Sequence, residues 1–89
     1  MAIRSFRSRE FRRRFELLPE HIQTLARENF LLWKDNPSHP SLNFKKIGRT
    51  NWSVRVGIHY RAVGQFVEGG FLWQWIGTHA EYDQMIKTL

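Results

Sequence analysis

Four side chains in the second half of the sequence could together act on a phosphodiester. Arg55 and Arg61 fall on two neighbouring predicted strands, where in register their guanidinium groups could converge on one phosphate. His79 follows the last predicted strand, and Tyr82 lies three residues further on. In metal-free RNA cleavage a base activates a 2′-hydroxyl, an acid protonates the departing 5′-oxygen, and cations stabilise the pentacoordinate phosphate. These four residues are therefore the predicted catalytic set.

The same four side chains are also compatible with structural roles. Arg55 could simply pair with Glu68 or Glu81. Arg61 could do no more than cover the sheet, and His79 could cap the terminal helix. Residue types at these spacings are common, so the residues alone leave both interpretations open.

The basic residues are concentrated in the first half of the chain. The sequence has 14 lysines and arginines against 8 acidic residues, and the whole net charge of +6 falls within residues 1–49. An excess of this kind attracts polyanions and raises their association rate. It could equally be a solvated surface that keeps the protein soluble. The predicted RNA-binding residues are Arg9, Arg12, Arg13, Lys45, Lys46 and Arg49.

The residue types give little indication of a metal site or a cofactor site. The sequence has no cysteine, which excludes disulfides, thiolate zinc sites and thiol nucleophiles. His79, Glu81 and Asp83 form an H-x-E-x-D string, but neither an HExxH helix nor a cysteine pair accompanies it. P-loop, GxGxxG and GxSxG motifs are missing as well. We therefore expect no metal and no small-molecule cofactor.

Length and composition predict one folded domain over residues 1–89. The hydrophobic fraction of 42% is high enough for a core, and 89 residues leave room for a single core. The apolar runs that a signal peptide or a membrane span would need do not occur in the sequence. We expect a cytoplasmic protein with no membrane partner.

Hydrophobic spacing predicts helices in the first part of the chain. A short strand over residues 2–6 precedes a helix that starts after Ser8, a suitable N-cap, with Phe11, Phe15 and Leu18 on its buried side. On this spacing the arginines at 12–14 face outward. Pro19 is expected at the first position of a second helix, which stops at residues 36–37.

The second part of the chain is predicted to form strands. After an extended segment over residues 42–47, Trp52, Val54 and Val56 alternate with Ser53 and Arg55. Further strands are predicted over residues 60–67 and 71–76, with Gly77 ending the last one, and a short helix over residues 80–89. The expected fold is α+β: a small antiparallel sheet with an N-terminal helical hairpin packed on it, in the order β-α-α-β-β-β with a short C-terminal helix.

Three segments carry a resemblance to a known family. They are LNFKKIG at 42–48, WSVRVGIHYRAVG at 52–64 and WIGTHAEYD at 75–83. With the helical hairpin before them, these segments resemble the toxins of bacterial type II toxin–antitoxin systems in the RelE/ParE superfamily. The resemblance covers nearly the whole chain and implies a RelE-like fold.

The resemblance implies a ribosome-dependent endoribonuclease that enters the decoding site and cuts mRNA without a metal. Arg61 matches the arginine of the family's YR element, and Arg55 matches a basic position on the preceding strand, so both would face phosphate. Lys45 and Lys46 lie where members often carry basic residues. The implied partners are mRNA on the ribosome, with contacts to ribosomal RNA, and a cognate antitoxin encoded beside the toxin. Such an antitoxin would wrap the basic surface with an acidic or amphipathic segment.

The resemblance also leaves part of the reaction unassigned. His79 matches the position where members place an arginine or histidine, and would be the general acid. Tyr82 is near, but out of register with, the catalytic tyrosine of some members. Ser53 stands where some ribosome-dependent members have a lysine, and no glutamate stands ready as general base. Because the superfamily also includes ParE-type gyrase poisons, that activity and a non-catalytic RNA-binding module remain open alternatives.

Overall fold

The computed structural model describes residues 3–89, which form five strands and three α-helices. In chain order these are β1 (Ser5–Arg7), α1 (Arg9–Glu16), α2 (Glu20–Asp35), β2 (Lys45–Ile47), β3 (Asn51–Val56), β4 (Tyr60–Val67), β5 (Gly70–Thr78) and α3 (His79–Ile86). A short 3₁₀ turn, Pro40–Leu42, precedes β2. None of the helices within residues 3–89 is long and apolar enough to cross a membrane.

All five strands belong to one sheet, in the order β1-β5-β4-β3-β2. β2 to β5 pair antiparallel, whereas β1 lies parallel to β5, with Ser5 opposite Phe71 and Arg7 opposite Trp73. The predicted α+β fold, with its helical hairpin and its terminal helix, is confirmed. It differs from the expectation at one edge, where the first strand adds to the sheet in parallel. A parallel pair needs a long connection between its strands, and here the helical hairpin and three strands supply it.

Local signals explain where the two N-terminal helices start and stop. The Ser8 side chain accepts a hydrogen bond from the Phe11 amide at 3.1 Å, which confirms Ser8 as the N-cap of α1. Pro19 is the N-cap of α2 and so lies one residue before the predicted position. Asn36 is the C-cap of α2, as the Asn-Pro pair predicts, because the residue before a proline disfavours helical backbone.

The hydrophobic core lies between the helical hairpin and one face of the sheet. The Trp33 ring of α2 is 5.0 Å from the Trp73 ring and 5.1 Å from the Phe71 ring, centroid to centroid. A fully buried side chain of this size contributes about 1.5–3 kcal/mol relative to an exposed one. The other buried members of this cluster are Phe11, Ala26, Leu42, Val54, Val56, Ala62 and Ile76.

Strand bounds follow the prediction closely in the middle of the sheet and less closely at its ends. β4 spans Tyr60–Val67 as predicted, and β2 occupies the end of the predicted 42–47 segment. The first strand is shifted to Ser5–Arg7, and residue 2 of the predicted strand lies outside the described residues. β5 continues past Gly77 to Thr78, because Gly77 and Thr78 pair with Arg61 and Tyr60 of β4. The predicted strand end at Gly77 is therefore one residue too early.

Candidate functional site

The register of the β3–β4 hairpin places Arg55 directly opposite Arg61. Gly77 of β5 is the next residue across the sheet in the same row. Because side chains alternate along a strand, this row lies on the sheet face turned away from the helical hairpin. We call this face the polar face; it carries Lys45, Ser53, Arg55, Arg61, Val63 and Trp75. The register thus sets the two arginines opposite one another on neighbouring strands, and their convergence on one phosphate stays a prediction.

Arg61 is the charged residue most deeply buried on this face, with 7% of its surface exposed. Its guanidinium carbon lies 5.4 Å from the centre of the Tyr82 ring, in a cation–π arrangement. Its Nη1 atom is buried and finds no hydrogen-bond partner among residues 3–89. A buried guanidinium nitrogen without an acceptor costs free energy, so its retention calls for a functional explanation.

Tyr82 connects α3 to the middle of the polar face. Its hydroxyl donates a hydrogen bond of 3.1 Å to Ser53 Oγ, and both residues are buried. The Tyr82 ring also packs near Trp75, at 6.5 Å between centroids, and near His79, at 6.0 Å. The ring therefore forms a support on which the Arg61 guanidinium rests.

His79 is the first residue of α3, and its side chain is 47% exposed. Its backbone amide donates a 2.7 Å hydrogen bond to the His59 carbonyl, which fixes the start of α3 beside the β3–β4 turn. The imidazole Nδ1 lies 3.1 Å from Asp83 Oδ2 on the next turn of the helix. The ring is thus held in one orientation by a carboxylate and remains open to solvent. A general acid needs this combination of orientation and access.

Thr78, and not His79, caps α3. The Thr78 hydroxyl accepts from the Glu81 amide at 3.1 Å, and the Glu81 carboxylate accepts from the Thr78 amide at 2.8 Å, which together form a capping box. The backbone hydrogen bond from Thr78 lowers the pKa of Glu81, with the Thr78 hydroxyl and Arg14 adding to the effect. Within residues 3–89 the ion pair of Glu81 is made with Arg14, at 3.9 Å, rather than with Arg55.

Arg14 and Trp75 belong to this region although the sequence reasoning missed both. Arg14 was expected on the outward side of α1, yet its guanidinium carbon lies 5.2 Å from the Trp75 ring centre. The sequence does contain a signal for the position of Arg14. Arg14 follows Phe11 by three residues and precedes Leu18 by four, so it lies next to the buried side of α1. The position of Trp75 depends on an irregularity in the β4–β5 register at Val63–Gly64, which no sequence pattern predicts.

The predicted RNA-binding residues are divided among different surfaces. Arg9, Arg12 and Arg13 are exposed on α1, and Arg13 is paired with Glu10 at 2.8 Å. Lys45 lies opposite Ser53 and so belongs to the polar face, whereas Lys46 lies opposite Trp52 and faces the other way. Arg49 is exposed in the turn before β3. The fold therefore brings Lys45 alone of these six into the same face as Arg55 and Arg61.

The comparisons with known proteins identify the fold. A toxin chain of the RelB-RelE antitoxin-toxin complex from Methanococcus jannaschii superposes with a TM-score of 0.70 at 16% identity, covering 90% of this chain and 96% of that one. The archaeal RelE-RelB complex from Pyrococcus horikoshii OT3 gives a TM-score of 0.69 at 14% identity, with 88% and 96% coverage. No family model and no curated protein matches the sequence. The chain has the RelE-like fold expected from its sequence.

Proposed function

We propose that this protein is the toxin of a type II toxin–antitoxin system and acts as a metal-independent, ribosome-dependent mRNA endonuclease. The RelE-like fold and the sequence segments at 42–48, 52–64 and 75–83 support this assignment together. On this proposal residues 1–89 act as one toxin domain in the cytoplasm, with translated mRNA as the substrate and an antitoxin as the protein partner.

The observation that carries the proposal is the Arg55–Arg61 pair. Arg55 and Arg61 are paired in register across the β3–β4 hairpin on one face of the sheet, and Arg61 Nη1 has no acceptor within residues 3–89. Two like charges side by side destabilise a folded protein unless an anion lies between them. A phosphodiester is such an anion, and the planar forks of two arginines match its oxygens.

In the proposed reaction the mRNA 2′-hydroxyl oxygen attacks the adjacent phosphorus and the bond to the 5′-oxygen of the next nucleotide breaks. Arg55 and Arg61 neutralise the charge that develops on the non-bridging oxygens. His79 gives a proton to the departing 5′-oxygen, with Asp83 orienting its ring. Tyr82, predicted in the catalytic set, positions Arg61 through its ring. The group that removes the 2′-hydroxyl proton is left unassigned.

Primer extension on cellular mRNAs after brief induction tests the proposal. New 5′ ends confined to translated regions are expected with the natural chain and should disappear with Arg61→Ala. Lys87→Ala serves as a control, since Lys87 is exposed at the end of α3. Arg55→Ala provides a second variant at a less buried position. Cleavage that persists in both arginine variants would refute the nuclease, and growth arrest with intact mRNA but cleaved DNA complexes would favour a gyrase poison.

A further inference from the structure

Side chains from α1, β5, α3 and β4 form a continuous stack that ends at Arg61. The Arg14 guanidinium carbon of α1 lies 5.2 Å from the Trp75 ring centre on β5. The Trp75 and Tyr82 rings are 6.5 Å apart between centroids, and the Arg61 guanidinium carbon lies 5.4 Å from the Tyr82 ring centre. Cation–π and aromatic pairs attract over distances of this size, so the position of each member constrains the next. We call this arrangement the Arg14–Arg61 stack.

The two ends of the stack differ in how their charge is compensated. Arg14 Nε lies 2.8 Å from Glu10 Oε2, and Arg14 Nη1 lies 3.9 Å from Glu81 Oε2. Arg61 forms no ion pair within residues 3–89, and its Nη1 atom finds no acceptor there. Carboxylates thus already occupy Arg14, whereas Arg61 keeps its capacity to bind an anion.

The helix that supplies Arg14 is attached to the strand that supplies Trp75. The Ser8 amide donates a 2.9 Å hydrogen bond to the Trp73 carbonyl, and the Ser8 hydroxyl donates one of 3.4 Å to the Gln74 carbonyl. These contacts join the start of α1 to β5 directly before Trp75. The helix therefore brings the Arg14 guanidinium to the Trp75 ring from a fixed starting point.

Gly77 leaves the space that the Trp75 ring occupies. A Cβ atom at Gly77 would lie 2.7 Å from Trp75 Cζ2 and 2.8 Å from Glu81 Oε1, and both distances are too short for such contacts. Gly77 is paired with Arg61 across the β4–β5 ladder. The indole therefore lies close to the backbone of the row that carries Arg61, at a position where any larger residue would displace it.

We propose that Arg14 and Trp75 are positioning residues, which act through the Tyr82 ring to hold the Arg61 guanidinium where it meets the scissile phosphate. An arginine side chain has many rotamers, and a stack that fixes its plane in advance lowers the entropy cost of binding a phosphate. Neither positioning residue touches the RNA. The inference rests on the proposed function in one respect, since the phosphate that Arg61 meets is that of the mRNA substrate.

Two matched arginine substitutions test the far end of the stack. Arg27 lies over the Phe15 ring at 5.1 Å, a cation–π contact of nearly the same length outside the stack. We expect Arg14→Gln to slow single-turnover cleavage on saturating ribosomes roughly tenfold, because Arg61 is less well oriented, and Arg27→Gln to leave it unchanged. Arg14→Lys keeps a cation over the Trp75 ring and should restore most of the rate. Equal cleavage rates for Arg14→Gln and Arg27→Gln would overturn the proposal.

A double-mutant cycle shows whether Arg14 acts through Trp75. If it does, adding Arg14→Gln to Trp75→Leu should cause little further loss of cleavage. Gly77→Ala keeps all four side chains of the stack but displaces the indole, and it should slow cleavage about as much as Trp75→Leu. Losses from Arg14→Gln and Trp75→Leu that multiply would mean that Arg14 contacts the RNA itself, which would contradict a positioning role.

The NMR signal of the Arg61 Nε–H group tests the stack without reference to cleavage. The Tyr82 ring current shifts this signal, so Arg14→Gln and Trp75→Leu should move or broaden it, whereas Arg27→Gln should not. An unchanged signal in both stack variants would end the positioning role even where mRNA is cut. A natural chain that cuts no mRNA but shows these changes would refute the nuclease and retain the positioning of Arg61.

Discussion

The hydroxyl of Tyr82 donates its hydrogen bond to Ser53 Oγ, so that a residue of α3 is anchored to β3 directly beside Arg61. Tyr82→Phe keeps the ring under the Arg61 guanidinium and removes only the hydroxyl. We expect this variant to lose about 1 kcal/mol of unfolding free energy, because Ser53 Oγ stays buried without its donor. Cleavage of mRNA should be largely retained. Urea denaturation and primer extension measure the two effects.

Ser53→Ala supplies the control for this pair. If the hydrogen bond accounts for the lost stability, the double variant should be less destabilised than the sum of the two single ones. If the Tyr82→Phe protein folds normally but no longer cleaves mRNA, the Tyr82 hydroxyl takes part in the reaction. That result would agree with the catalytic set predicted from the sequence.

His79→Gln should slow cleavage by roughly 10²–10⁴-fold, because a proton can no longer be delivered to the leaving oxygen by a positioned imidazole. The exposed side chain contributes little packing, so the unfolding midpoint should hardly change. Asp83→Asn should cause a smaller loss, since it leaves the imidazole in place but weakens its orientation. Single-turnover cleavage on stalled ribosomes measures both. Equal rates for His79→Gln and the natural chain would exclude His79 as the acid.

Lys45 and Lys46 are neighbours in sequence with opposite orientations in the sheet, which makes them a matched pair. Lys45→Ala should weaken productive RNA binding, since Lys45 shares the polar face with Arg55 and Arg61. Lys46→Ala removes the same charge from the face that carries Trp52, so its effect should be clearly smaller. The salt dependence of binding separates the two, because each lost phosphate contact lowers its slope by about one. Indistinguishable variants would place the RNA elsewhere.

The capping box at the start of α3 predicts a pH dependence of stability. The Thr78 amide holds the pKa of Glu81 below its ordinary value, and the Thr78 hydroxyl and Arg14 add to this. Because the folded-state pKa lies below the unfolded-state pKa, the stabilisation is complete above the ordinary glutamate pKa and is lost as pH falls through the lowered one. Thermal unfolding below about pH 4.3 should show the decline.

Glu81→Gln should flatten this decline, since glutamine cannot take up the proton. Arg14→Gln should alter the pH dependence less than Glu81→Gln does. The Arg14–Glu81 contact is 3.9 Å long, and it lowers the pKa of Glu81 less than either Thr78 hydrogen bond does. A natural chain and a Glu81→Gln variant with parallel pH profiles would rule out the capping box as the source.

Local chemistry made the helices, the hairpins and the arginine pair predictable. Ser8 marks the start of α1, and the alternation of Ser53 and Arg55 with their apolar neighbours fixes which face each side chain occupies. Once Tyr60–Val67 is recognised as a strand, the short turn before it places Arg61 opposite Arg55. These features depend on residues close together in sequence, so a single sequence carries enough information.

The features that were missed depend on contacts distant in sequence. The parallel pairing of β1 with β5, the stacking of Arg14 over Trp75 and the Tyr82–Ser53 hydrogen bond each join segments that no local pattern relates. A groove between the helical hairpin and the sheet also depends on contacts distant in sequence, because residues of α1, α2 and the sheet line it together. Tertiary packing decides such contacts, and spacing along the chain does not.

The parallel contact between β1 and β5 also bears on how this chain reaches its folded state. Ser5 must find Phe71, and a loop closure over so many residues is entropically costly and slow. During synthesis the β2–β3 and β3–β4 hairpins can form early, but the edge position for β1 does not exist until β5 has left the ribosome. Phe71 and Trp73, whose buried side chains complete the core, lie on β5 and therefore join the core only when β5 does. A nascent chain therefore stays without its finished sheet until almost all of these 89 residues have been made.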